Sequence, residues 1–251
     1  MVKEADFNAR GWHVLPSFNG EGLLKPGVFE AMQQHPLLPG ESAWGTRNLL
    51  HALILGTRPK TVLEVGSHIG SASVVIGAAL KANGFGKSYH LEPQDHYFEI
   101  LSDFIRMADL EGISVPLKNF STDADLPRVV GTDVDLIFLD ANHSYSNALA
   151  DIAVCDGLLS DKGLILLDDV GAPHSANICT EGRGGVRQAL LDFVAQRPDY
   201  SVIFLEPPFW LNPCGLAIMA RVPNADPAEF RPPASAHPTV WRRVLKLLRL
   251  A

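Results

Sequence analysis

Two stretches of the sequence combine residue types that can do chemistry. In "FLDANHSY" an apolar run ends at Asp140, and His143 follows three residues later. In "GLILLDD" a second apolar run ends in the adjacent pair Asp168 and Asp169. Carboxylates brought close together raise one another's pKa, and a bound cation removes that conflict. Three of them make a hard oxygen site, suited to Mg²⁺, Mn²⁺ or Ca²⁺ rather than to zinc. A histidine beside such a site, with an ordinary pKa near about 6.5, can accept a proton at neutral pH. A plainer arrangement is open on the same residues: one aspartate caps a helix and another pairs with Arg183 or Arg187. Adjacent residues of an extended strand point to opposite faces, so Asp168 and Asp169 can share an ion only where the backbone turns.

A third stretch, "EVGSHIGSAS", suits a polar ligand. Gly66 permits a tight turn and close backbone approach, and Gly70 permits close packing where a helix begins. Ser67 and Ser71 belong to the same turn. The N-terminus of the helix that follows favours polar or anionic groups. Glu92 ends the next apolar run, where an acid can accept hydrogen bonds from both hydroxyls of a ribose. A bare glycine turn and a solvated glutamate would be the bland account. The ordered series of strand, glycine turn, helix, strand and acid favours a nucleoside ligand.

Regular elements must hold these residues in place. "TVLEVG" (Thr61 to Gly66), "SYHLEP" (Ser88 to Pro93), "ISVPLKN" (Ile113 to Asn119), "VDLIFLD" (Val134 to Asp140) and "GLILLDD" (Gly163 to Asp169) read as strands. Phe98, Leu101, Ile105 and Ala108 recur at helical spacing, with Gly112 as the expected C-terminal stop. Ser144 is a candidate cap for a helix running to about Leu159, and Val186, Leu190 and Val194 share one face of another. This alternation predicts βαβ units. "YSVIFLE" (Tyr200 to Glu206) and "GLAIMARV" (Gly215 to Val222) are joined by a loop too short for a parallel crossover, so they should be antiparallel. The Gly/Ser-rich stretch from Gly171 to Gly185 is placed to act as a substrate lid. His174 on it is a second base candidate, although a loop histidine without a chemical role is the simpler reading.

Composition bounds the rest. The 251 residues are 47% apolar, enough for one large α/β domain, and the formal charge of −7 argues against nucleic-acid binding. Three scattered cysteines form neither a disulfide framework nor a zinc motif, and the N-terminus lacks the apolar core of a signal peptide. A cytoplasmic protein is the expectation. Residues 1–42 read as an extension with helical pieces, 43–222 as the domain, and 223–251 as a Pro-rich linker ending in the basic amphipathic "TVWRRVLKLLRLA". That tail could lie on a membrane surface. Packing on the domain or on a second subunit is the plainer reading.

The pattern Glu64-x-Gly66-x-x-x-Gly70, with Glu64 inside the strand, resembles the first motif of class I S-adenosylmethionine-dependent methyltransferases. The resemblance runs from about Gly45 to Val222. It implies a Rossmann-like α/β fold: a doubly wound, mostly parallel seven-stranded sheet with a reversed last strand. An Asp ending the fourth strand and an acidic pair ending the fifth resemble the metal-dependent O-methyltransferases. The catechol and caffeoyl-type branch usually has Lys three residues after the first Asp, and often Asp-Asn as the pair. His143 and Asp168-Asp169 look more like enzymes that methylate sugar hydroxyls on macrolide antibiotics. "DANHSY" and "GGVRQAL" also resemble bacterial small-molecule and glycan methyltransferases.

Taken with the strand-end positions, the resemblance implies S-adenosylmethionine and a divalent cation, Mg²⁺ first, as cofactors. Gly45, Glu64, Gly66, Ser67, Gly70, Ser71, Glu92, Ser121 and Asp140 are the candidate cofactor-binding residues. Asp140, Asp168 and Asp169 are the candidate metal ligands, and His143 is the candidate base. Trp44, like Gly45, lies where related enzymes often contact the methionine part of the cofactor, with plain packing an equal reading for Trp44; Phe120 and Thr122, beside Ser121, could line the adenine pocket, and Ala141 could touch the cofactor. The acceptor would be a hydroxyl of a small molecule or sugar, and the assembly a homo-oligomer, as in many relatives. Two other readings stay open: a metal-independent methyltransferase, and a non-catalytic cofactor-binding or docking module.

Overall fold

The apolar runs form seven strands, and amphipathic or apolar segments between them form helices. A computed structural model describes residues 24–222, apart from 26, 39 and 198. The linker and basic tail expected over 223–251 lie outside the described residues. The strands are β1 (Thr61–Val65), β2 (Lys87–Leu91), β3 (Ser114–Leu117), β4 (Val134–Leu139), β5 (Leu159–Asp168), β6 (Tyr200–Leu205) and β7 (Leu216–Arg221). The described helices are α1 (Val28–Gln33), α2 (Trp44–Thr57), α3 (Ser71–Asn83), α4 (Asp95–Met107), α5 (Leu126–Val130), α6 (Tyr145–Leu158), α7 (Ala172–Ile178) and α8 (Gly185–Ala195).

One sheet holds all seven strands, in the order β3-β2-β1-β4-β5-β7-β6. Strands β1 to β5 run parallel, and β7 runs antiparallel to both β5 and β6. This is the doubly wound, mostly parallel sheet with a reversed last strand that the sequence predicts. Successive strand residues face opposite sides. Leu63, Val65, Ile137, Leu139, Ile165 and Leu167 therefore pack with Leu126, Ile152 and Leu190 on one face. Val62, Leu136, Phe138 and Leu166 pack with Leu50, Ile54 and Ile76 on the other. Burial on both faces explains why β4 and β5 are nearly continuous apolar runs.

Register decides where the polar residues emerge. Leu91, Val65, Leu139 and Leu167 lie side by side across four neighbouring strands. Glu92, Gly66, Asp140 and Asp168 come directly after them, so these four share one rim of the sheet.

Several expectations need correction. Helix α4 stops at Met107, not at Gly112, because Asp109 already takes a left-handed conformation (φ 53°) and Gly112 serves a later turn. Strand β5 begins at Leu159, ahead of Gly163, through a register shift against Val134 and Leu136. The stretch from Gly171 to Gly185 is not a plain loop: it contains α7. Helix α2 was not anticipated at all. Ser144 does cap α6, accepting from the Asn147 N–H. No helix among the described residues is long and apolar enough to cross a membrane.

Asp156, near the end of α6, ties that helix to the last two strands. Its carboxylate accepts from Tyr200 Oη at 2.6 Å and Arg221 Nη2 at 2.9 Å, and pairs with Arg197. Burial pushes this carboxyl up, but the three hydrogen-bond donors outweigh burial and hold it below its ordinary value. A depressed folded-state pKa gives stability that is present above the unfolded pKa of about 3.9 and lost as pH falls through the folded value. Asp156→Ala should cost about 2 kcal/mol at pH 7, less than a fully buried pair because solvent screens part of the cluster. Urea unfolding from pH 6 to pH 3 should show a shallower loss of stability in Asp156→Asn than in the wild type. Equal slopes would remove Asp156 from the acid response.

Candidate active site

The turn after β1 fits against the end of β4 with no room to spare. Gly66 has φ 89°, and a Cβ there would lie 2.2 Å from the Asp140 carbonyl oxygen and 2.7 Å from the Ala141 Cα. Gly70 opens α3 at φ 98°, where a Cβ would lie 2.7 Å from Leu101 Cδ1 on α4. Between them His68 is left-handed (φ 48°) and donates its backbone N–H to Glu92 Oε2 at 2.9 Å. The Gln94 N–H donates to the other carboxylate oxygen at 2.8 Å. Glu92 is thereby fixed in orientation with lone pairs left over. Burial raises its pKa, and these two donors act against that rise.

A cleft of about 600 Å³ opens along this rim, a size in the range of cofactor sites. Gly66, Glu92, Ser121, Asp140 and His143 line it, as do Phe120, Thr122 and Ala141. Ser121 is hydrogen-bonded to the buried Asp151 of α6 at the far wall.

Five candidate residues stand behind the cleft lining. Glu64 is fully buried, and its Oε2 accepts from Ser67 at 2.9 Å and from Ser73 at 2.5 Å, and meets His90 Nδ1 at 2.6 Å. His90 Nε2 continues to Ser88 at 2.8 Å, and Ser88 to Ser114 at 3.1 Å. Glu64 and Ser67 thus brace the turn from within. Gly70 packs on α4, and the Ser71 hydroxyl is spent on Glu41. Gly45 faces the Trp210 ring, where a Cβ would lie 3.3 Å away.

The acids gather at the cleft's other end. Asp140, His143 and Asp169 each offer a ligand atom within 4.8 Å of the others. Asp169 can turn toward Asp140 because its backbone is left-handed (φ 61°), which is the turn that two adjacent aspartates require. Its Oδ2 meets His143 Nε2 at 2.8 Å and its Oδ1 meets His174 Nε2 at 2.7 Å. His174 thus lies in α7 rather than on an open loop, with its ring against Asp169. Asp168 points inward, nearly fully buried, and its Oδ1 accepts the Asp169 N–H at 3.0 Å; it lies outside that group of close donor atoms. Neither Arg183 nor Arg187 pairs with these acids: Arg183 stacks on Tyr145 and Arg187 pairs with Glu206.

The electrostatics follow from this crowding. Burial, then the charges of Asp168 and Asp169, push Asp140 well above the ordinary carboxylate range. Burial and the Asp169 charge push Asp168 up to about 7. Burial also acts upward on Asp169, but the two histidines outweigh it and hold this carboxyl low. The hydrogen bond to Asp169 raises His143 against the opposing effect of burial. A cation held beside Asp140 and Asp169 would offset this repulsion, so the donor set fits a divalent ion.

Sequence reasoning missed several residues here. Glu41, from the segment before α2, reaches over the turn to His68 Nδ1 at 2.8 Å. Arg47 on α2 is only 5% exposed and stacks on Trp44 at 3.8 Å. Burial lowers its pKa to about 10 against the pull of Glu41, Asp140 and Asp168. The one available signal was an arginine among the apolar residues of α2.

Residues 63–170 match a family model described as a methyltransferase domain. No curated protein matches the sequence. Among solved structures, an O-methyltransferase from Bacillus cereus in complex with SAH superposes with a TM-score of 0.66 at 16% identity, covering 84% of this chain and 99% of that one. The O-methyltransferase TomG from Streptomyces achromogenes, involved in tomaymycin synthesis and in complex with SAM, gives 0.65 at 17%, covering 81% and 94%. An SAH-bound methyltransferase from Podospora anserina gives 0.63 at 17%, covering 88% and 97%. At these identities the likeness is one of fold.

Two glycines separate the contribution of close approach from that of backbone conformation. Gly66 and Gly84 both have positive φ, but a Cβ at Gly84 meets nothing within 4 Å. Gly84→Ala should cost about 1 kcal/mol. Gly66→Ala should cost that and roughly 1–3 kcal/mol more from overpacking against β4. Denaturant unfolding of both variants reads the difference, and equal losses would mean that β4 yields freely.

Proposed function

We propose that this protein is an O-methyltransferase that takes its methyl group from S-adenosylmethionine. It would hold a divalent cation on Asp140 and Asp169 and methylate a hydroxyl of a small molecule or sugar. One observation carries the reading: Asp140 and His143 belong both to the cleft lining and to the group of close donor atoms with Asp169. Whatever occupies the cleft therefore lies beside whatever Asp169 holds.

The roles of the residues follow from position. Glu92 would accept the two ribose hydroxyls, since its carboxylate is already oriented by the His68 and Gln94 N–H groups. Phe120, 62% exposed at the cleft wall, offers a face to a flat base. Gly66 leaves room for the ligand's backbone-side approach. When bound, S-adenosylmethionine supplies the electrophilic methyl group and the cation supplies positive charge beside the acceptor oxygen.

His143 would remove the acceptor proton. With its Nε2–H donated to Asp169, the lone pair sits on Nδ1, the nitrogen left to accept. Asp169 fixes that tautomer and stabilises the charge that develops on the ring. Asp168, with one oxygen held by the Asp169 N–H, would support the turn and deepen the negative potential rather than contact an ion first.

A second reading has its own support. The His143–Asp169 pair at 2.8 Å is already complete without an ion, as a metal-independent base would need. Chelation distinguishes the two.

Calorimetry with S-adenosylmethionine, with and without Mg²⁺ or EDTA, is the direct test. Glu92→Ala should weaken cofactor binding by roughly tenfold to a hundredfold, the loss of hydrogen bonds to a charged group. Asp140→Ala should abolish Mg²⁺ binding. With an acceptor in hand, His143→Ala should lower kcat by about 10²-fold or more while leaving cofactor affinity unchanged. Turnover that survives EDTA would establish the metal-independent reading, and absence of cofactor binding would end both.

A further inference from the structure

Asp169 has a second set of neighbours, on the side away from Asp140. Asp169, His174 and Cys214 each offer a ligand atom, and these atoms lie within 4.8 Å of one another. They come from three places in the chain: the end of β5, helix α7, and the loop before β7. Their donor types are carboxylate oxygen, imidazole nitrogen and sulfur. We propose that Asp169, His174 and Cys214 form a site for a thiophilic divalent cation, Zn²⁺ by preference, distinct in chemistry from the hard-ion side at Asp140.

The donor set carries the choice of ion. Mg²⁺ takes oxygen ligands and does not recruit a thiolate. Zinc binds Cys, His and Asp together, with bond lengths of about 2.0–2.3 Å. Ligand atoms around a tetrahedral zinc stand about 3.5 Å apart by that geometry. His174 Nε2 and Asp169 Oδ1 are 2.7 Å apart, so they need open only by under about an ångström to admit the ion. The fourth position would go to water, since His174 and Asp169 are partly exposed, at 27% and 13% of their side chains.

The framework around the three residues is built in advance. The Gly171 N–H donates to the Cys214 carbonyl at 2.6 Å. A Cβ at Gly171 would lie 2.3 Å from the Pro213 carbonyl oxygen, and one at Gly215 would lie 2.5 Å from the Gly171 nitrogen. The turn after β5 and the loop before β7 are thus pressed backbone to backbone. The Cys214 N–H donates to Asn212 Oδ1 at 3.1 Å, and Glu206 accepts from the Ala172 N–H at 3.0 Å. The backbone that carries the thiol is thus fixed beside the turn that carries Asp169.

Charge supports the same ion: Asp169 belongs to the site, and its carboxylate neighbours Asp140 and Asp168 would attract a cation there. On binding, the sulfur–hydrogen bond breaks, the proton leaves to solvent and the sulfur–zinc bond forms. His174 binds as the neutral ring with its proton on Nδ1. The proposal does not rest on methyl transfer.

Cobalt(II) is a spectroscopic probe for such a site. Titration of the full chain, reduced, with Co²⁺ should give one equivalent with a near-ultraviolet absorption from thiolate-to-cobalt charge transfer, and Zn²⁺ should displace it. Cys214→Ser should lose that absorption, and His174→Ala should weaken binding by tenfold or more. Asp140→Ala should keep the absorption, which separates this site from the hard-ion side. A wild-type protein that shows no charge-transfer band overturns the proposal. So does a band that persists in Cys214→Ser, which would assign it to Cys155 or Cys179.

Discussion

Ionising Asp140 is opposed first by burial and then by the charges of Asp168 and Asp169, and much of the surrounding structure answers that repulsion. Two histidines clamp Asp169 from opposite oxygens. Arg47 is buried behind the same acids, at a cost in desolvation that a surface position would have avoided. This compensation is only partial, since Asp140 and Asp168 remain raised. The residual negative potential lies at the end of a cleft whose other end is shaped by glycine and Glu92. A ligand carrying positive charge near its middle, or a cation beside it, completes the balance.

The acids sit together because of register, not because of any local motif. Parallel pairing sets Leu91, Val65, Leu139 and Leu167 level, and the chain must turn after each of them. Buried strand interiors admit a carboxylate only with partners, as Glu64 has in Ser67, Ser73 and His90, whereas strand ends expose carboxylates to a groove. Gly66 then lets the first turn press against the Asp140 backbone, so the glycine turn and the acid-bearing strand are one packed unit.

Much of this was legible in the sequence. Apolar runs ending in Gly66, Glu92, Asp140 and Asp168 give the strands, and the short Pro-rich connection gives the antiparallel pair. The strand ends also point to the cleft. Other features were not legible, for physical reasons. Helix α2 carries Thr46, Arg47 and His51 among its apolar residues, so its stripe is broken by buried polar side chains. Glu41 acts across 27 residues on His68, a distance no spacing rule covers. Cys214 reads as an isolated cysteine until β7 is placed next to β5. The division of labour between Asp168 and Asp169 depends on one left-handed residue, which a sequence pair alone does not reveal.

The strand order β5-β7-β6 carries a consequence for how the protein is made. Strand β7 is the last to be synthesised among the described strands, yet it lies between the two that precede it. While the chain leaves the ribosome, β6 has no neighbour in the sheet, and the edge of β5 stays open until residues 216–221 emerge. Domains of this kind collapse as units, and an unpaired strand edge is exposed to wrong partners meanwhile. The first five strands can assemble the glycine turn and the Asp140 end early. The Cys214 side of Asp169 is closed only by the final hairpin, so the two sides of that one carboxylate are completed at different times in the life of the nascent chain.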